Sequence, residues 1–344
     1  MSDRKRHITI HNEDEAFAFL KRALEREFED VPAVVEFKDW PVLRIRLEGE
    51  GYDSTITPDM AEAIVSLQHS INRTYARVVK QESTARSLTD AERHELQFKA
   101  KVDSGSSLLE VNLGPIFEKI GLELVQKMDP TMIAVTTIGL AVVAGSTAAY
   151  RAFLKHKSEG KELEEEGKKA VALSEQETRR LEILASALAQ KPVLDSVRQD
   201  FDDVRQDILK GTADAKRLTV QGVPISGEDA QAIARTPRSE ARGVQLNGHY
   251  RIRKIDWDHD TVVRLWVEST DNDRRFIATL KVQEIGENQR ELLKSCEWER
   301  KRVYLSINAT ELRGEITTAV IVGAEWPSDS RPFPESSVDG KGQT

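Results

Sequence analysis

Six cations and two aromatic rings in the last third of the chain are spaced to share the outer face of a β-sheet. Arg251 and Arg253 flank Ile252, while Arg264 and Trp266 interleave with Val263, Leu265 and Val267. Arg275 and Lys281 fall opposite Phe276, Ala278, Leu280 and Val282, and Arg302 and Tyr304 alternate with Val303, Leu305 and Ile307. Successive side chains of a strand point to opposite faces, so each apolar set faces a core and each polar set faces out. Cations along a surface hold phosphates and flat rings among them stack bases, the combination that single-stranded nucleic acid needs. The competing reading is a solvated face whose Trp266 packs on a neighbouring subunit. Acids in this segment nearly balance its bases, which weakens its pull on a polyanion.

Other chemistry is thin. GxxxxGK[ST], GxGxxG, GxSxG and HExxH do not occur. Asp256, Asp258 and Asp260 around His259 resemble the start of a calcium loop. However, Thr261 stands where its glycine belongs and Val267 where its closing glutamate belongs, so a hairpin turn is the better account. Cys296 lies at an expected helix end with no base nearby, and His69 and His94 lack partners, so each is expected to be structural or at the surface. No enzymatic activity, cofactor or metal is expected.

The elements that must carry the eight residues follow from periodicity. Strand-like runs at Tyr250–Trp257, Val262–Glu268, Arg274–Val282, Arg302–Ala309 and Glu315–Ala324, with a helical run from Gly286 to Glu297 after the third, give the order β-β-β-α-β-β. That is the order of an OB-type barrel, although other small barrels share it. Upstream, residues 1–113 have an α+β pattern. A strand at His7–His11 precedes a helix capped by Asn12 and Glu15, and a strand pair follows at Val35–Phe37 and Leu43–Leu47. A long helix then starts at Thr57-Pro58, and further alternation runs from Leu96 to Val102 and Leu109 to Leu113, with a turn at Ser104–Ser107 between them.

Residues 114–156 hold an amphipathic helix from Pro115 to Met128 and then TMIAVTTIGLAVVAGSTAAY, Thr131 to Tyr150, twenty residues without a charge. As one helix, at about 1.5 Å per residue, it would reach about 30 Å, a bilayer's hydrocarbon thickness. Small residues four apart, such as Ala141/Gly145 and Ala144/Ala148, would let helices approach closely in lipid. The alternative is a buried core helix, favoured by Thr131, Thr136, Thr137, Ser146 and Thr147. Residues 157–211 form a helical connector. Ser174 and Glu177 open one helix, and Leu194, Val197, Phe201, Val204 and Ile208 stripe the next as an expected self-association seam. A link with a short helix near Ala230 opens the 212–326 barrel region, and the tail 327–344 has the composition of disorder.

A net charge of −8 excludes a generic basic nucleic-acid coat but leaves room for a local patch. The single cysteine excludes an intrachain disulfide framework and fits a reducing compartment. MSDRKRHITIHNEDE has basic residues with no apolar run behind them, so a secretory signal is not expected.

An α+β head, one apolar helix at MIAVTTIGLAVVAGSTAAY, a helical connector and a β-rich sensor together resemble membrane effectors of bacterial anti-phage signalling systems. The layout is most similar to the transmembrane effectors of the Hailong system. That resemblance covers most of the chain and rests on layout rather than a sharp motif. It implies a homo-oligomeric inner-membrane protein, held closed by a single-stranded DNA oligomer from a partner nucleotidyltransferase and disrupting the membrane when that ligand is lost. A different class stays open: an oligomeric scaffold held together by its apolar and heptad helices.

Overall fold

The computed structural model describes residues 6–29, 33–50, 52, 55–82, 84–102, 107–125, 127–235, 242–257, 261–271, 274–281, 283, 286–312 and 315–326. The expected turn at Ser104, the acid loop at Asp258–Asp260, Val282 and the tail from Pro327 lie outside them. The chain is mixed α+β and divides into two compact units, Met1–Arg238 and Ser239–Thr344.

In the first unit, β1 (Arg6–Ile10) leads to α1 (Glu13–Leu24), whose N-cap Asn12 accepts the Glu15 N–H. β2 (Ala33–Phe37) runs parallel to β1 in a sheet of two strands, whereas β3 (Val42–Glu48) joins another sheet. The expected pairing of these two neighbouring runs does not form. The helix α2 (Pro58–Tyr75) is capped by Thr57. A short helix, α3 (Asp90–Glu95), with a Thr89/Glu92 capping box, ends at Leu96, and residues 97–99 are irregular, so the alternation expected from Leu96 becomes a strand only at Ala100. Only β4 (Ala100–Val102) and β5 (Ser107–Asn112) are strands among the described residues of that region.

α4 (Gly114–Leu124) precedes the apolar stretch, which is two helices and not one: α5 (Pro130–Gly145) and α6 (Thr147–Lys157), bent by 57°. Among the described residues no single helix is long and apolar enough to cross a membrane, although this bent pair has the length and composition. Ser146 makes the break. Its backbone is extended (φ −85°, ψ 142°) and its hydroxyl caps α6 by accepting the Ala149 N–H. Both sides of the break are satisfied from elsewhere. Arg205 donates to the Val143 carbonyl and Gln221 to the Gly145 carbonyl, while the Glu13 carboxylate accepts the N–H groups of Thr147 and Ala148. A cation at the end of one helix and an anion at the start of the next match both helix dipoles.

Fourteen of the sixteen residues of α5 are buried, and their partners belong to the same chain. The helix packs against α1, α4, β2, α8 (Glu175–Gln190) and α9 (Val193–Gly211). Its small residues serve that packing: a Cβ on Gly139 would meet Leu194 Cδ1 at 2.7 Å, and one on Gly145 would meet Pro41 Cβ at 2.4 Å. Leu194, Val197, Phe201, Val204 and Ile208 are buried in the same core, where α9 lies on α2 and α5. The stripe expected to join copies is therefore covered within the chain.

The segment expected to link into the barrel region from residue 212 belongs instead to this first unit. β6 (Arg217–Val220) and β7 (Val223–Ser226) form a hairpin turning at Gln221 and Gly222, both in the left-handed region, and α10 (Gly227–Ala234) follows. The hairpin completes an antiparallel sheet of order β4-β5-β3-β6-β7.

The second unit contains a closed five-stranded barrel. β9 (Gly248–Asp256), β10 (Val262–Ser269) and β11 (Arg275–Lys281) form a meander, α11 (Glu287–Trp298) intervenes, and β12 (Arg302–Leu312) and β13 (Glu315–Glu325) form a hairpin. The ring runs β9-β10-β11-β13-β12 and closes on β9, with β11 and β13 parallel. Ile252, Val263, Leu265, Val267, Phe276, Ala278, Leu280, Val303, Leu305 and Ile307 fill it, as the alternation anticipates. A short strand, β8 (Arg242–Gln245), adds to the second half of β12 and had no sequence signal.

Candidate nucleic-acid interface

All eight expected residues lie on β12, β9, β10 and β11, four consecutive staves of the ring, and point away from its core. They form two groups. At the centre, Trp266 stands beside Lys254 on β9 and Ile277 on β11, its cross-strand neighbours. The Lys254 ammonium lies 4.6 Å from the Trp266 ring centroid, within cation–π range. Ile277 is buried although it faces outward, so the indole and its neighbours form an apolar floor there.

Two residues along β10, on the same face, Glu268 holds two of the arginines. Arg253 Nε donates to its Oε2 at 2.6 Å and Arg275 Nε to its Oε1 at 2.8 Å. The Arg253 hydrogen bond, with that from Arg275, keeps the Glu268 carboxyl below the usual carboxylate range, while its partial loss of water pulls the other way. The clamp spans three strands and retains one net positive charge. The guanidinium side chains remain 56% and 72% exposed, against 9% for the carboxylate. The fork is therefore fixed from below and open from above.

The second group borders the first. Arg251 lies between Glu268 on β10 and Arg302 on β12, and Tyr304 meets His249 edge-on with centroids 5.4 Å apart. Arg264 sits across from Asp256 and Thr279, and Lys281 across from Val262. Asp256 and Glu268 temper the charge of the surface without cancelling it.

Sequence alternation missed Lys254. The bulge between Trp266 and Val267 makes Arg253 and Lys254 both point outward. Its trace in the sequence is that Ile252 and Ile255, both buried, stand three apart rather than two. Glu268 was passed over because a carboxylate on an anion-binding face has no reading until its partners are known. Trp257, whose ring lies 5.2 Å from the Lys294 ammonium, and Trp298, exposed on α11, were also missed.

Among the described residues, no cluster of three or more His, Cys, Asp or Glu side chains could hold a metal ion. Cys296 is buried, its thiol pushed up by burial, with Sγ 3.8 Å from the Arg302 carbonyl oxygen. No protein family, curated protein or solved structure matches the chain.

Proposed function

We propose that the C-terminal barrel is an OB-type module that binds a single-stranded nucleic acid or nucleotide oligomer, and that the chain is a non-enzymatic, ligand-reading protein. The observation that carries this reading is the Lys254–Trp266 pair beside the Arg253–Glu268–Arg275 clamp. One base stacks on the indole while the neighbouring guanidiniums meet phosphate. The ring order and the helix after the third strand support it, since the strand 2–3 face of such barrels binds oligonucleotides.

Titration of the purified full chain with fluorescein-labelled oligothymidylate, read by anisotropy, tests it. Saturable, salt-sensitive binding that falls about tenfold or more in Lys254→Ala/Trp266→Ala supports the proposal, given that a stacked base contributes ~1–3 kcal/mol. No binding at low salt, with no nucleotide extracted from the purified protein, refutes it.

A second reading rests on the bent α5–α6 pair. In it the chain is a homo-oligomeric inner-membrane effector of anti-phage defence, gated by an oligomer from a partner nucleotidyltransferase. A ligand gates only by binding one state more tightly than another. The enclosure of α5 weighs against this reading, because insertion would withdraw the helix from its own core. Vesicle dye release on removal of the oligonucleotide supports it, and intact vesicles under the same treatment count against it.

A further inference from the structure

Three of the chain's five tryptophans, Trp257, Trp298 and Trp326, are exposed on the barrel unit, and Trp298 is 90% exposed. Exposed rings grouped with cations supply the stacking faces and charges that single-stranded nucleic acid uses. Trp298 stands one helical turn after Lys294 on α11, so the two share a helix face, and Lys294 also lies over Trp257. Arg300, Lys301 and Arg302 follow directly in sequence, all exposed. Of the nearby acids, Glu297 Oε1 accepts the Ile255 N–H at 2.7 Å and Glu299 pairs with Lys301 at 2.5 Å, while Glu291, one turn before Lys294, is exposed on the same helix face and offsets part of its charge.

The Glu297 bond also fixes where this patch lies. It ties the last turn of α11 to β9 at the residue next to Lys254, which itself touches Trp266. Trp266, Lys254 and the Trp257–Lys294–Trp298 group thus follow one another across β10, β9 and α11.

We infer that the single-strand path does not end on the barrel staves but continues over α11, with Trp257 and Trp298 stacking further bases and Lys294 and Arg300 meeting further phosphates. This rests on the binding proposed for the barrel. The chemistry fits a polymer rather than a mononucleotide, because separate stacking sites on β10 and α11 serve one ligand only if it has several bases. Stacking and charge are the means of recognition that this open surface offers.

The test compares oligothymidylates of four and twelve nucleotides on the full chain and on Trp257→Ala/Trp298→Ala. Both indoles are exposed, so the variant keeps its fold, which circular dichroism checks. The twelve-mer is expected to lose about tenfold or more in affinity, with a salt slope shallower by about 0.7 for each phosphate that is no longer neutralised, while the four-mer binds unchanged. A variant that binds the twelve-mer like wild type, or loses both lengths equally, overturns the extension and leaves the barrel site standing. Wild-type protein that binds neither length overturns both. Concentration-dependent self-association that disappears in the variant, with twelve-mer binding intact, assigns the surface to a second copy and also overturns the extension.

Discussion

Glu268 sets the balance of the proposed site. With the carboxylate in place, Arg253 and Arg275 are pre-oriented but half neutralised. Glu268→Gln is expected to tighten oligonucleotide binding several-fold at low salt and to steepen the salt slope by about 0.7. The same change should lower the barrel's urea midpoint. The sign with pH follows from the depressed carboxyl pKa: its stabilisation is present above the unfolded value of about 4.3 and is lost as pH falls through the folded one. The midpoints of wild type and variant should therefore converge on acidification below about pH 4. A gap that persists unchanged at about pH 3 would dissociate the carboxylate from the barrel's stability. At this scale much was legible in the sequence. Alternation located Trp266, Arg264, Arg275 and Tyr304 because a strand's period is fixed. It could not show that Arg253 and Arg275 share one acid, because strand register is a tertiary fact.

Among the elements, α5 and α6 show where hydropathy misleads. Asp129 and Pro130 marked the start of α5 correctly, with Asp129 accepting the Met132 N–H. Ser146 carries an equally good cap, but within an apolar run it looks like a diluting polar residue. Ser146→Ala should destabilise the first unit by about 0.5–2 kcal/mol, the range for loss of an N-cap, read as a lower urea midpoint. Gly139→Leu places a side chain where Leu194 already sits, and overpacking there should destabilise by about 1–3 kcal/mol. An unchanged midpoint would mean that α5 is not packed on α9 in solution. Small residues four apart look alike whether a helix meets its neighbours in lipid or in a protein core. The caps of α1, α2 and α8 were legible because they need only local sequence.

For the whole molecule, the sheet of the first unit divides its strands between the two ends of that unit's sequence: β3, β4 and β5 come from the first 112 residues, and β6 and β7 from beyond residue 216. No local pattern reveals that β6 pairs with β3, and so the α+β head appeared self-sufficient in sequence. A chain cut after residue 211 leaves an edge of β3 open along Ile45–Glu48. Such a truncation is expected to aggregate on expression, whereas one cut after residue 235 should remain monodisperse by size-exclusion chromatography. Equal behaviour of the two would show that the hairpin is dispensable.

That late hairpin also sets an order of events during synthesis. The apolar α5 leaves the ribosome roughly 80 residues before the hairpin is complete, and at about 5–20 residues per second the nascent chain takes several seconds to catch up. Throughout that interval its greasiest helix lacks part of its eventual wrapping. The partners that precede it, α1, β2 and α4, can cover it at once, so through that interval the bare side of α5 is the one that α8 and α9 will take.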